Sequence, residues 1–429
     1  MRKRFFTFLA LLIGGTLFLT PEFHNDPWNV VEEEYYRVWQ RTYERVVVAR
    51  LAKSQQDGIF SAGGLLGLAN SPNGWNFDTA LQYEIYNTGA KVEDYLPYKS
   101  HPGFQGALFS ALDRITNFSP SQNIWGFRVI VSLLSALTVS LFAAVIAVEF
   151  GWLAGILILA FSSFSEWMVL PGGNLYWNLW AFYLPFLAGI FLPANYVKGD
   201  NRCELKIYAV MFMATLAKVL FTGFEMITTT IVMATVPFVY HAIINKWRWK
   251  IFAARIFKLG VAMLLATLSG LLILSFQIAI NDGSLKSSLR HISGTVERRM
   301  IGEPDDYKGS NAAIVWIYLN INAFNTKTAP SLWQRPYWQI VALFACFTLI
   351  FLARHRASFR TNPASKKGLA LTIVTWYSIL APLSWIIIFK PTAYIHIFLF
   401  PMAWQMPFTL LGFALCGYVI TDLFKRKTA

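Results

Sequence analysis

The chain has 429 residues, 55% of them hydrophobic and 14% charged, with a mean hydropathy of +0.45. A soluble protein this apolar would lack the polar surface to cover itself, so composition excludes an ordinary soluble enzyme and points to a polytopic membrane protein. The net charge of +14 would suggest nucleic acid in a soluble chain, but most basic residues fall in short loops that orient membrane proteins, and no nucleic-acid partner is expected.

In chain order, Met1-Arg2-Lys3-Arg4 precedes an apolar run over 5–19. With no small-x-small cleavage site before Pro21, the run reads as a retained signal anchor and first spanning helix. The segment 20–123 is then largely polar. Its stretch 32–55 has few breakers and is expected as a helix along the membrane surface. Gly58, Gly63, Gly64 and Gly67 mark turns, and a second helix is expected over 103–116. Further apolar runs lie near 124–148, 153–170, 177–192, 205–221, 226–244, 257–280, 337–353, 370–389 and 395–420, giving about ten spans. The third and fourth are short and separated only by Pro171-Gly172-Gly173-Asn174, which predicts a tight, re-entrant-looking hairpin. Segment 281–335 starts basic, with Arg290, His291, Arg298 and Arg299, and becomes aromatic towards Trp333 and Tyr337.

Alternation of about ten spans puts every short basic loop on one side. These are Arg2 to Arg4, Lys198 and Arg202, Lys246 to Lys258, Arg354 to Lys367, and Lys425 to Lys427. That is the positive-inside pattern, with both termini cytoplasmic. The expected architecture is an all-α polytopic membrane protein over 1–429. Segments 20–123 and 281–335 would be extracytoplasmic, in a cell inner membrane whose active face points outward. Cys203, Cys346 and Cys416 suit neither a periplasmic disulfide nor a zinc site.

A bilayer tolerates charge near its core only against a partner, a cavity or a substrate. In this topology the ionisable residues at helix ends gather on the outer side, which marks a reaction centre at the outer leaflet. A first span, a long outer loop with the early acidic run Glu32-Glu33-Glu34-Tyr35-Tyr36 and surface helices, and then many more spans together resemble one superfamily. This is the GT-C fold of integral-membrane glycosyltransferases, which includes protein O-mannosyltransferases and lipid A aminoarabinose transferases. The resemblance covers the whole chain as architecture. It implies transfer of a sugar from a polyprenyl-phosphate donor to an envelope glycan, lipid or protein acceptor at the outer face. It also implies an acidic motif, commonly Asp-Glu, soon after the first helix. Here the run is Glu-only. Glu33 and Glu34 are therefore candidates for the catalytic base, and Asp57 in Asp57-Gly58-Ile59-Phe60 is a substitute.

Such a transfer needs a base for the acceptor hydroxyl and cationic or hydrogen-bonding groups for the departing phosphate. Lys390, Tyr394 and His396 stand where the ninth helix ends and the tenth begins, offering a point charge and a proton shuttle. Snorkelling to headgroups is the bland alternative for Lys390. Arg298 and Arg299 would grip phosphate with guanidinium forks, or simply attract anionic headgroups. Lys218 and Glu225, near one outer helix end, either belong to the site or staple two helices as an ion pair, and Glu166 poses the same question. His101, in Ser100-His101-Pro102, and Asn174, in the hairpin, complete the substrate-binding candidates. Solvated acids at a helix N-terminus and turn chemistry at Asp-Gly are the ordinary rivals for Glu33, Glu34 and Asp57. No cofactor is specified. A divalent cation on the outer carboxylates stays open, but no ligand spacing supports it. Two other functions compete: a transporter or flippase of a lipid-linked saccharide, and a non-catalytic membrane assembly subunit.

Overall fold

The structure, a computed structural model, describes residues 2–69, 78–191, 201–302, 310–321, 335–357, 362–396 and 399–425. Lys198, Arg360, Trp333, Arg426 and Lys427 lie outside them. The chain opens with α1 (Arg2–Asn25), α2 (Glu33–Asp57), β1 (Gly67–Ala69), α3 (Thr79–Thr88), β2 (Tyr95–Pro97) and α4 (Phe104–Ile115). There follow α5 (Pro120–Phe150), α6 (Trp152–Ser163), α7 (Glu166–Gly172), α8 (Leu179–Phe191), α9 (Asn201–Thr222), α10 (Ile227–Ile244) and α11 (Trp249–Asp282). After these come α12 (Leu285–Ile301), α13 (Asn311–Asn320), α14 (Tyr337–His355), α15 (Pro363–Ser378), α16 (Leu380–Ile388), α17 (Lys390–Ile395), α18 (Phe400–Trp404) and α19 (Leu410–Lys425).

Among the described residues, eight helices or continuous helix pairs are long and apolar enough to cross a membrane. The pair α6 and α7, bent by 70°, makes a ninth. The chain is thus an all-α, multi-pass membrane protein. The expected fourth span, over 177–192, comes out as α8, with Pro185 inside; its thirteen described residues cover about 20 Å at 1.5 Å per residue, and residue 192 lies outside the described residues. The hairpin expected at 171–174 differs: the chain bends by 70° between α6 and α7, inside the third run, and residues 173–178 form the turn that leads into α8.

Local chemistry explains where the helices begin and end. Ser119 and Gln122 cap α5 reciprocally, with Pro120 in its first turn, where a missing N–H costs nothing. The Asn362 side chain accepts from Ala364 N ahead of Pro363 to start α15. The first helix runs on through Pro21 to Asn25. Asp26 then stops it, its carboxylate accepting from Val30 N and Val31 N at 2.8 Å each.

The described parts of this region, 26–69 and 78–119, fold as a cap on one end of the bundle. Its core comprises Val47, Leu51, Leu66, Ile85 and Phe109, closed underneath by Phe127 of α5. A buried ion pair fastens cap to bundle: Arg128 Nη2 of α5 reaches Glu44 Oε2 of α2 at 2.6 Å. The Tyr83 hydroxyl (3.0 Å) and Leu175 N (3.1 Å) also donate to the Glu44 carboxylate. At the opposite end, Lys258 pairs with Glu204, Lys367 with Glu149, and Arg354 and His355 with Asp422. The basic stretches 246–258 and 354–367 therefore gather at the end away from the cap.

Candidate functional site

The cap meets the bundle around the turn between α9 and α10. Lys218, fully buried in the last turns of α9, donates from Nζ to the carbonyls of Gly223 (2.8 Å) and Glu225 (2.5 Å). A buried ammonium here satisfies carbonyls that the helix end leaves without partners. The chain can turn so tightly because Gly223 has φ of +67° and packs closely against the His101 side chain. A Cβ at Gly223 would stand 2.2 Å from that of His101. This turn presents the Glu225 side chain to Arg299 of α12, with Oε1 to Nη2 at 2.7 Å.

Arg299 is about four-fifths shielded, its side chain 18% exposed. Burial opposes its charge, but Glu225, and behind it Tyr98 and Tyr176, hold its pKa above the ordinary value. The Arg299 carbonyl accepts from Thr392 Oγ1 of α17 at 3.2 Å, which ties α12 to the helix leading to His396. His396 sits at the end of α17 with an exposed edge. Partial desolvation pulls its pKa down, with Glu225 opposing and Arg299 assisting.

His101 comes from the cap. It is 2% exposed, and its Nδ1 accepts from Gly103 N at 3.0 Å, so in the neutral ring Nε2 carries the proton. That N–H has no hydrogen-bond partner among the described residues. Burial, then the charges of Arg299 and Lys218, push its pKa down to about 3. Edge-to-face contacts with Tyr98 (5.7 Å) and Tyr176 (5.3 Å) fix the ring. Asn174 sets Tyr176 in turn. Its Oδ1 accepts from Tyr176 N and Trp177 N, and its Nδ2 donates to Gln40 Oε1 of α2 at 2.8 Å.

Two spaces adjoin the pair. A small cavity of about 20 Å³ lies against Glu225, walled by Trp177, Phe182 and Met402. A larger one of about 140 Å³ has Arg299 and Lys99 on its polar edge and Phe224, Leu274, Trp385 and Phe389 as apolar walls. Arg299 thus borders an apolar space and also touches a carboxylate that faces a smaller one.

Of the residues singled out from sequence, Lys218, Glu225, Arg299, His101 and His396 come together, with Asn174 bracing them through Tyr176. Lys390 is half-buried at the start of α17, Tyr394 is exposed one turn on, and Arg298 is exposed beside Arg299. Glu33 and Glu34 stand exposed in the first turn of α2, where Glu34 pairs with Arg37. Asp57, at the far end of that helix, pairs with Lys53. Glu166 is buried at the start of α7, at the bend after α6. Arg290 and His291 line the exposed side of α12. Sequence reasoning missed Tyr98 and Tyr176, the Glu44–Arg128 pair, and the acids Glu22 and Asp26, both buried where α1 ends. Arg128 had a usable signal, a lone charge inside an apolar run. The tyrosines had none in a chain rich in aromatics.

Among the described residues, no three His, Cys, Asp or Glu side chains form a group that could hold a metal ion. Comparison of the chain with protein-family models, curated proteins and solved structures finds no match.

Proposed function

We propose that this protein is a membrane glycosyltransferase that moves a sugar from a polyprenyl-phosphate donor to an envelope acceptor at the outer face of an inner membrane. The observation that supports this most is the Glu225–Arg299 pair, set between an apolar cavity and a small cleft, beside the buried N–H of His101, unpartnered among the described residues. A lipid phosphate needs this combination: a hydrocarbon wall for its chain, a guanidinium fork, and neutral hydrogen-bond donors around its oxygens.

In this reading the isoprenoid end lies along Trp385 and Phe389, and the phosphate takes Arg299. Arg299 then loosens its hold on Glu225, whose carboxylate accepts the proton of the acceptor hydroxyl as that oxygen attacks the anomeric carbon. The bond from that carbon to the phosphate oxygen breaks, and the phosphate leaves with its electron pair. Arg299 and His101 Nε2–H offset the charge that develops there. The same carboxylate steadies the oxocarbenium-like transition state. Lys218 is a positioning residue that fixes the turn carrying Glu225. The cap end is assigned to the outer side because the basic loops gather at the other end.

The test is complementation of a deletion strain in the organism that carries the protein, read as envelope glycan composition. Wild type should restore the glycan, whereas Glu225→Gln and Arg299→Gln at equal membrane abundance should not. If both variants restore it, the assignment fails.

A further inference from the structure

At the end of the bundle away from the cap, the core helices enclose a cavity of about 490 Å³, the size of a ligand pocket rather than a packing fault. Phe8 of α1, Phe142 and Ile146 of α5, Phe186 of α8, Leu371 of α15 and Leu411 of α19 wall it. Water gains little from such walls, because it needs several polar partners. The rim differs: Glu149, Tyr240, His241 and Asn245 converge there. The Tyr240 hydroxyl donates to Glu149 Oε1 at 2.6 Å, and Lys367 Nζ meets the same oxygen at 2.7 Å. Lys366 Nζ caps α10 at Ile244 O, 2.9 Å away. Lys246 and Arg248 follow Asn245 directly in the chain. The one carboxylate is thus already neutralised, and the rim has cationic groups to spare.

We infer that this cavity holds one acyl chain of an anionic phospholipid, its phosphate seated at the rim by Lys246 and Arg248, the basic residues that follow α10. A hydrocarbon chain matches the walls, and the charge surplus selects an anionic headgroup over a zwitterionic one. The site is separate from the Glu225 cluster and does not depend on the function proposed for it.

The test uses the full-length protein in mild detergent, with phosphatidylglycerol or phosphatidylcholine added and bound lipid counted by native mass spectrometry. Wild type should retain one phosphatidylglycerol and bind it at least tenfold more tightly than phosphatidylcholine. Ile146→Trp, which fills the cavity, should lower that binding at least tenfold. Lys246→Gln combined with Arg248→Gln should weaken phosphatidylglycerol at least fivefold and leave phosphatidylcholine unchanged; it decides the matter if the tryptophan variant does not fold. A wild type without bound lipid overturns the inference. So does equal binding of the two lipids, or folded variants that both bind phosphatidylglycerol as wild type does.

Discussion

Glu225 and Arg299 define each other: the guanidinium and the carboxylate hold each other in place at 2.7 Å. Removing a base costs about 10²–10⁴ in rate. Glu225→Gln should therefore lower turnover at least about a hundredfold while the protein still inserts and folds, as measured by glycan transfer in membranes. By contrast, Glu34→Gln and Asp57→Asn remove exposed carboxylates with surface partners and should leave turnover near wild type. His101 makes a prediction about pH. Its pKa falls from the ordinary 6.5 to about 3 on folding, so folding favours the neutral ring. That stability is fully present above about pH 6.5 and is lost as pH falls towards 3. His101→Asn should flatten this acid limb in thermal unfolding curves, and an unchanged limb would show that His101 is not the group responsible. Lys218 and Glu225 stood out in the sequence because charge beside an apolar run needs a reason; His101 and Arg299, in polar segments, were candidates by residue type alone. Their geometry was not legible, because it rests on the turn at Gly223 and on edge-to-face tyrosines that carry no charge signal.

At the scale of elements, the turn between α9 and α10 and the loop 173–178 act as the two jaws that hold the cluster. Lys218→Met leaves the carbonyls of Gly223 and Glu225 without donors, at a cost of about 1–3 kcal/mol each. Thermal unfolding in detergent should register this loss together with a fall in turnover. Asn174→Ala should lower turnover and leave the melting of the bundle less affected, since it frees Tyr176 and Trp177 rather than a span. Helix boundaries were largely legible: α2 covers the stretch with few breakers from 32, and α4 the helix expected over 103–116. The count of spans was less so: among the described residues eight pass on length and apolarity, nine with the bent pair, against about ten expected. The buried pair between Glu44 and Arg128 joins residues 84 positions apart, a separation that local patterning does not reach.

At the scale of the whole molecule, two ends with different chemistry face apart. One carries the cap and the mixed-charge cluster; the other carries the basic loops and the large apolar cavity. The account places the cap outside. A membrane-impermeant maleimide should label Glu93→Cys in intact cells, and should label Lys250→Cys only after the membrane is opened. The reverse pattern would invert the topology and remove the cluster from the outer leaflet. The fold class was legible here because hydropathy and basic-loop bias act over the full length of the chain.

The most direct test is binding of a short-chain polyprenyl monophosphate to the purified full-length protein, compared among wild type, Arg299→Gln and Glu33→Gln. The account predicts saturable binding that Arg299→Gln weakens at least tenfold and Glu33→Gln leaves unchanged. Absence of binding by wild type, or equal binding by wild type and Arg299→Gln, would contradict a lipid-phosphate site at this cluster.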